Sequence, residues 1–254
     1  MSNVHTDRDR EVLIVTINRP DVRNAIDIAT SRLLFEAFEE YDHDDSLSVA
    51  VLTGAGGTFC AGADLKAIAS GQRRTLIEEG PGPLGPTRML LSKPVIAAVE
   101  GHAVAGGFEL ALWCDLRVAA EDAVFGVFCR RFGVPLLDLG TVRLPRLIGH
   151  SHAMDLILTG RGVHGDEALR MGIANRLVPH GQSLEAAVRL AHELTQFPQR
   201  CLRSDRLSAY EQWSFSYDEG WRNELRRGRT VIESGETAAG ATAFAGGKGR
   251  HGAF

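Results

Sequence analysis

The chain is poor in the residues and patterns that mark several large functional classes. Among its 254 residues there are only four cysteines, Cys60, Cys114, Cys129 and Cys201, with no CxxC pair between them. Such spacing implies neither a disulfide framework nor a zinc site, and no metal is expected. No apolar run approaches the roughly eighteen residues of a membrane span, and the polar stretch Met1 to Arg10 has no apolar signal core. A cytoplasmic protein is expected. Positive charge is not in excess either, since 28 Lys and Arg stand against 32 Asp and Glu for a net charge of −4. That balance gives no footprint for nucleic acid or for an anionic membrane surface. Two weaker signals also fail. Gly54-Ala55-Gly56-Gly57 is not followed by the Gly-Lys-Ser/Thr of a phosphate loop, and Gly149-His150-Ser151-His152-Ala153 lacks the last glycine of a hydrolase elbow. Ser151 therefore reads as a helix N-cap instead of a nucleophile.

What is present is the composition of a globular protein, 44% hydrophobic and 24% charged, long enough for a sizeable core. Glu11 to Asn18, Val49 to Thr53, Pro94 to Glu100, Leu116 to Ala119 and Ala123 to Val127 read as strands. Asp27 to His43 carries apolar residues at helical spacing, so strand and helix alternate, as in an α/β fold with right-handed crossovers. Ser70 to Pro86 is rich in Gly and Pro and reads as a mobile loop. From Ser151 onward helical patterns dominate, which divides the chain into a core of residues 1–197 and a C-terminal helical region of residues 198–254. A helical tail of this kind cannot bury itself alone and is expected to pack on a neighbouring subunit as well as on its own core.

Two glycine-rich runs carry the chemistry. Phe59-Cys60-Ala61-Gly62-Ala63-Asp64 and Gly101 to Leu110 each follow an apolar strand and open a helix. Small residues let a ligand approach the main chain, and helix starts present free N–H groups at the positive end of the helix dipole. Two such N–H groups aimed at one oxygen would stabilise the charge that develops when a thioester carbonyl becomes an enolate.

At these residues the chain resembles the crotonase superfamily, the enoyl-CoA hydratase/isomerase proteins. The likeness runs from Asn18-Arg19-Pro20 and Asn24-Ala25 through Leu52-Thr53-Gly54, Ala61 to Lys66 and Gly101 to Leu110, then on to Cys114-Asp115-Leu116-Arg117, Phe125-Gly126 and Gly140-Thr141 with Arg143-Leu144. The resemblance implies an α/β fold made of a crotonase-like spiral of ββα repeats, with a helical C-terminal trimerisation region. It implies an enzyme working on an acyl-CoA thioester, assembled as a homotrimer or as a hexamer that is a dimer of trimers. Its oxyanion donors would be the amides of Ala63 and Gly106, and no cofactor is implied beyond coenzyme A as the substrate carrier. Val22, Arg23 and Ala61, with Lys66, would line the coenzyme A path, and Lys248 beyond Phe244 resembles the lysine some members lend to a neighbour's adenine pocket.

The same resemblance frames the acid–base question. Family hydratases use two glutamates. Glu109 matches the first, and the second position, twenty residues on, holds Cys129. Hydration then rests on Glu109 alone, whereas Asp138, in an Asp-x-Gly-Thr run resembling that of family dienoyl-CoA isomerases, would pair with Glu109 to move a double bond. Loss of chemistry with retained acyl-CoA binding is a further reading. Blander roles stand beside these: Glu109 as a first-turn carboxylate favoured by the helix dipole, Asp138 as the N-cap of a following helix, Cys129 as a buried spacer or, beside Arg130 and Arg131, an activated thiol. Asp64, Asp115 and Arg117 read as structural, and Phe128, Phe132 and Leu136 as candidates to set acyl length.

Overall fold

The computed structural model describes residues 2–72 and 78–249. Its first strand, β1 (Val4–Asp9), is a polar segment with only Val4 buried, paired antiparallel to β2 (Val12–Ile17) in the register Val4↔Ile17 to Asp9↔Val12. Sequence reading expected no strand there. An edge strand needs no continuous apolar face, and charged edge residues also discourage pairing with another chain. After β2 come α1 (Ile28–His43), β3 (Val49–Gly54), the short α2 (Leu65–Ala69) and β4 (Val95–Val99). β3 and β4 are buried at every position except Gly54, which explains their unbroken apolar sequence: the sheet is covered on both faces.

Together with β6 (Leu116–Ala120) and β9 (Arg176–Val178) these strands form a six-stranded sheet ordered β1-β2-β3-β4-β6-β9, parallel apart from β1. One face packs Val15, Ala50, Leu52 and Ala97 against Leu34 and Phe38 of α1. The other packs Val12, Val51, Ile96 and Val118 against Ala187, Leu190 and Ala191 of α7 (Ser183–Thr195). A smaller sheet joins β5 (His102–Val104), β7 (Val124–Gly126) and β8 (Gly162–His164). At three residues each, β5, β8 and β9 are too short to show a period-two pattern, and they were not expected as separate strands.

The helices after β5 are α3 (Gly106–Trp113), α4 (Gly140–Ile148), α5 (His150–Thr159) and α6 (Gly165–Met171). Two predicted caps are corrected. α5 starts one residue before Ser151 behind Gly149, and the residue preceding α4 is Leu139, in a left-handed conformation with φ 68°, so Asp138 does not cap that helix. The tail consists of α8 (Gln199–Glu211), α9 (Tyr217–Glu233) and α10 (Glu236–Ala245). α8 is tied to the core through Asp115, whose Oδ1 accepts from Arg206 Nε at 2.7 Å and from the Tyr210 hydroxyl at 2.9 Å. α9 begins with a Ser216/Glu219 capping box and exposes Tyr217, Trp221, Leu225 and Ile232 along its length. Residues 73–77 of the predicted loop and 250–254 of the tail lie outside the described residues. No described helix is long and apolar enough to cross a membrane.

Candidate active site

The first candidate donor is built by a strand-like bridge. Ile26 N–H donates to Gly62 O at 2.8 Å and Asp64 N–H to Ile26 O at 3.0 Å, the paired bonds of a parallel bridge between Ile26 and Ala63. Successive amides of an extended chain face opposite ways, so the Ala63 N–H points away from Ile26, and no described group accepts from it. Gly62, at φ +91°, turns the chain into this position, and Asp64 then opens α2 by accepting from Lys66 N and Ala67 N at 3.1 Å.

The second donor comes from the β5–α3 turn. Ala105 sits at φ 54° and ψ −126°, a conformation that costs an L-residue of order 1–3 kcal/mol and that clusters at functional sites. Gly106 follows as the first residue of α3, where an N–H has no intrahelical acceptor, and again no described group takes it. The two runs are in direct contact. A Cβ added to Gly62 would lie 2.7 Å from Gly106 N, and one added to Gly107 would meet the Cys60 carbonyl.

Both donors border one cavity of about 460 Å³, which also receives Glu109, Cys129 and Asp138. The remaining wall is mostly apolar, including Ile68, Leu84, Phe128 and Phe132. Glu109 projects from the first turn of α3 and is 3% exposed. Its Oε1 accepts from the backbone N–H of Asp138 at 2.9 Å and of Gly140 at 2.8 Å. The left-handed Leu139 between them aims both amides at one oxygen. Burial, and then the nearby Asp138 charge, push the Glu109 carboxyl up to about 7, against the pull of those N–H bonds. Asp138, 4% exposed, uses Oδ1 to accept from Leu84 N at 2.9 Å and from the Thr87 hydroxyl. Arg143 closes the arrangement by donating to Asp138 O at 3.1 Å and Thr87 O at 2.7 Å.

A family model described as enoyl-CoA hydratase/isomerase matches residues 7–246. The chain belongs to that family. Among curated relatives, the enoyl-CoA hydratase EchA19 of Mycobacterium tuberculosis is 36% identical over 94% of this chain and 92% of its own length. A carnitinyl-CoA dehydratase of Salmonella arizonae is 38% identical over 94% of this chain and 93% of its own. The crystal structure of the enoyl-CoA hydratase EchA1 from Mycobacterium marinum superposes with a TM-score of 0.90 at 39% identity, covering 96% of this chain and 95% of that one. The protein is thus an enzyme of the enoyl-CoA hydratase/isomerase type, on the crotonase fold, acting on an acyl-CoA.

In this family member the five expected site residues Ala61, Ala63, Gly106, Glu109 and Asp138 share the cavity, whereas Val22, Arg23, Lys66 and Lys248 are not among its described lining. Arg23 still touches the site through its carbonyl, which accepts from Ala61 N at 3.0 Å. Lys248 is exposed on the turn after α10. Cys129 is not activated. Burial, with the Glu109 charge beside it, raises its thiol above the ordinary range, while Arg130 donates to Ile157 O and Arg131 to Gly160 O. Arg131 also stacks 3.8 Å from the Phe128 ring centre. Phe128 and Phe132 line the cavity as expected of length-setting residues; Leu136 does not. Sequence reading missed the roles of Leu84, Thr87, Leu139 and Arg143; only the glycine of the Asp-x-Gly-Thr run hinted at the cradle around Glu109. Among the described residues one surface group has ligand-type spacing, Glu100, Asp122 and His180, and there Glu100 accepts from Gly181 N and Ser183 N at the start of α7.

Proposed function

We propose that this enzyme shifts a carbon–carbon double bond in an acyl-CoA, with the Ala63 and Gly106 amides holding the enolate oxygen and Glu109 carrying the proton. The observation behind this reading is a buried carboxyl with a pKa of about 7 in the same cavity as two N–H groups that no described protein group claims. A carboxyl so poised is populated in both forms near neutral pH, the condition under which general acid–base catalysis is most effective. As carboxylate, Glu109 takes a proton from the carbon next to the thioester carbonyl, and the electron pair of the broken C–H bond makes the enolate. Charge moves to the thioester oxygen, where preorganised donors in a dry wall stabilise it. Now the carboxylic acid, Glu109 gives that same proton back at the more distant carbon, with Asp138 as the relay that reaches it, so that one proton leaves the substrate and one returns.

Hydration is the second reading, favoured by the relatives named enoyl-CoA hydratase and carnitinyl-CoA dehydratase. It ranks lower here because position 129 offers a protonated thiol where a second carboxylate would hold the attacking water, and the adjoining walls are apolar. Coenzyme A would run past the main chain of Val22, Arg23 and Ala61 with Lys66 beside its phosphates, and Lys248 would come from a neighbouring subunit. The exposed apolar stripe of α9 suits a homotrimer or a dimer of trimers.

The test is to supply purified enzyme with crotonyl-CoA and, separately, with β,γ-enoyl-CoA and dienoyl-CoA. Turnover of the second group with little hydration supports isomerisation; the reverse supports hydration. Stabilisation by acyl-CoAs without turnover of any of them leaves a binding protein. Asp138→Asn separates its two roles, because Asn can still accept from Leu84 and Thr87 but cannot carry a proton: activity survives if Asp138 only positions the wall and fails if it is the second acid–base group.

A further inference from the structure

Neither donor run contains the group that holds the first donor in place. Ala63 lies between the two bridge bonds to Ile26, and the segment Arg19 to Ile26 that supplies Ile26 is itself an unfavourable piece of backbone, with Arg23 and Asn24 both left-handed at φ 53° and 56°. Two non-glycine residues in that region cost of order 1–2 kcal/mol each, so the segment keeps its shape only because other groups over-determine it. Asn24 does part of this: it is fully buried, accepts from Arg19 N at 2.9 Å, and donates to Ala55 O at 2.8 Å and Thr58 O at 2.6 Å.

The rest falls to one guanidinium. Arg19 Nη1 donates to Ala25 O, next to Ile26, while Nη2 lies 3.1 Å from both Asp27 Oδ2 and Asp64 Oδ2. These two aspartates directly follow the bridge, one on each strand, and each also starts a helix: Asp27 accepts from Thr30 N at 2.8 Å, and Asp64 from Lys66 N and Ala67 N. The Arg19 side chain is 17% exposed, so its pairing is much less screened than a surface bridge.

We propose that Arg19 is a positioning residue for the reaction: it clamps Asp27 to Asp64 across the Ile26–Ala63 bridge and so fixes the direction of the Ala63 N–H. The proposal rests on the donor-pair reading above and deepens it. Without the guanidinium, two carboxylates of like charge face each other across the bridge with nothing to join them, and the hairline fit between Gly62 and Gly106 loosens. Lysine is no equivalent, because a single ammonium cannot reach Ala25 O and both carboxylates in the planar arrangement that arginine uses.

The experiment compares wild type, Arg19→Lys and Arg19→Met by steady-state kinetics and by the absorbance of bound dimethylaminocinnamoyl-CoA, a conjugated thioester whose band moves to longer wavelength as its carbonyl is polarised. A mere loss of folded protein lowers the bound fraction but does not change the band position of what is bound. The expected result is a red shift in wild type, smaller in Arg19→Lys and largely lost in Arg19→Met, with kcat lower by about 10- to 100-fold and KM little changed, as befits misplacing one donor. A full red shift with unchanged kcat in Arg19→Met overturns the clamp alone. An absent shift in wild type overturns the donor pair itself and the clamp with it. Should Arg19→Met fail to fold, Arg19→Lys is read by the same criteria.

Discussion

Two backbone cradles for a negative oxygen border the same cavity, and they differ in what closes them. The amides of Asp138 and Gly140 converge on Glu109 Oε1, so that cradle is satisfied by the protein's own carboxylate. The amides of Ala63 and Gly106 have no described protein acceptor. Both exploit the start of a helix, where N–H groups lack intrahelical partners. The difference teaches that the fold keeps one charge fixed and leaves the other to appear only during reaction. The fixed charge is moreover held short of full stability: burial outweighs the two N–H bonds and leaves Glu109 near pH 7. A carboxylate gripped as firmly as the cradle geometry alone suggests would be too weak a base.

The comparison breaks most decisively at Glu109. Glu109→Gln is expected to lower kcat by about 10²–10⁴-fold, measured with whichever enoyl-CoA the wild type turns over. Its effect on stability has the opposite sign at alkaline pH. Because the folded-state pKa is raised, the favourable contribution of the protonated group is complete below the ordinary carboxylate range and is lost as pH rises through about 7. Chemical denaturation above that pH should therefore find Glu109→Gln more stable than wild type by on the order of 3 kcal/mol, with the difference vanishing towards pH 4. For activity the sign also follows: kcat/KM for proton abstraction should rise with pH and level off above about 7.

The next largest effect lies in the other cradle. Gly62→Ala forces a side chain onto a left-handed residue and against Gly106 N, at 2.7 Å, which must spread the donors. A fall in kcat of about 10²–10³-fold is expected, the range for losing one oxyanion donor, while the pH at which activity levels off stays put. Gly140→Ala is the complementary case. Its Cβ would meet Glu109 Cγ and Oε1 at 2.8 Å, so the carboxylate loses its N–H partners and the activity limb moves to higher pH; an unmoved limb would falsify the assignment of that limb to Glu109. The smallest change is Leu139→Gly, which relieves a left-handed leucine and should alter stability by no more than about 1 kcal/mol in thermal unfolding, with kcat nearly unchanged.

The two cradles also differ in how far they can be read from sequence. The Ala63/Gly106 pair was legible because close approach of main chain to main chain demands small residues, and Gly62 and Gly107 are where added side chains would collide with it. The Glu109 cradle was not, since its key turn is a leucine in a glycine-like conformation and its donors are amides that any residue type provides. The same logic governs the fold. β3 and β4 announce themselves through residues buried on both faces, whereas β1 hides in a polar edge and β5 in three residues. Asp138 looked like a helix cap because Asp is among the favoured N-cap residues; the left-handed Leu139 after it turns the carboxylate instead towards Leu84 and Thr87.

That redirected carboxylate has a consequence for how such an enzyme can change its diet. Leu84 is 1% exposed and stands against Gly106, and it is pinned there by Asp138 from a distant part of the chain. Substitutions at Ile68 and Gln72, elsewhere on the cavity's border, can therefore change its lining while the wall beside Gly106 stays tied to Asp138. The lining can thus be altered for a new acyl group without untying the wall that stands beside the Gly106 amide.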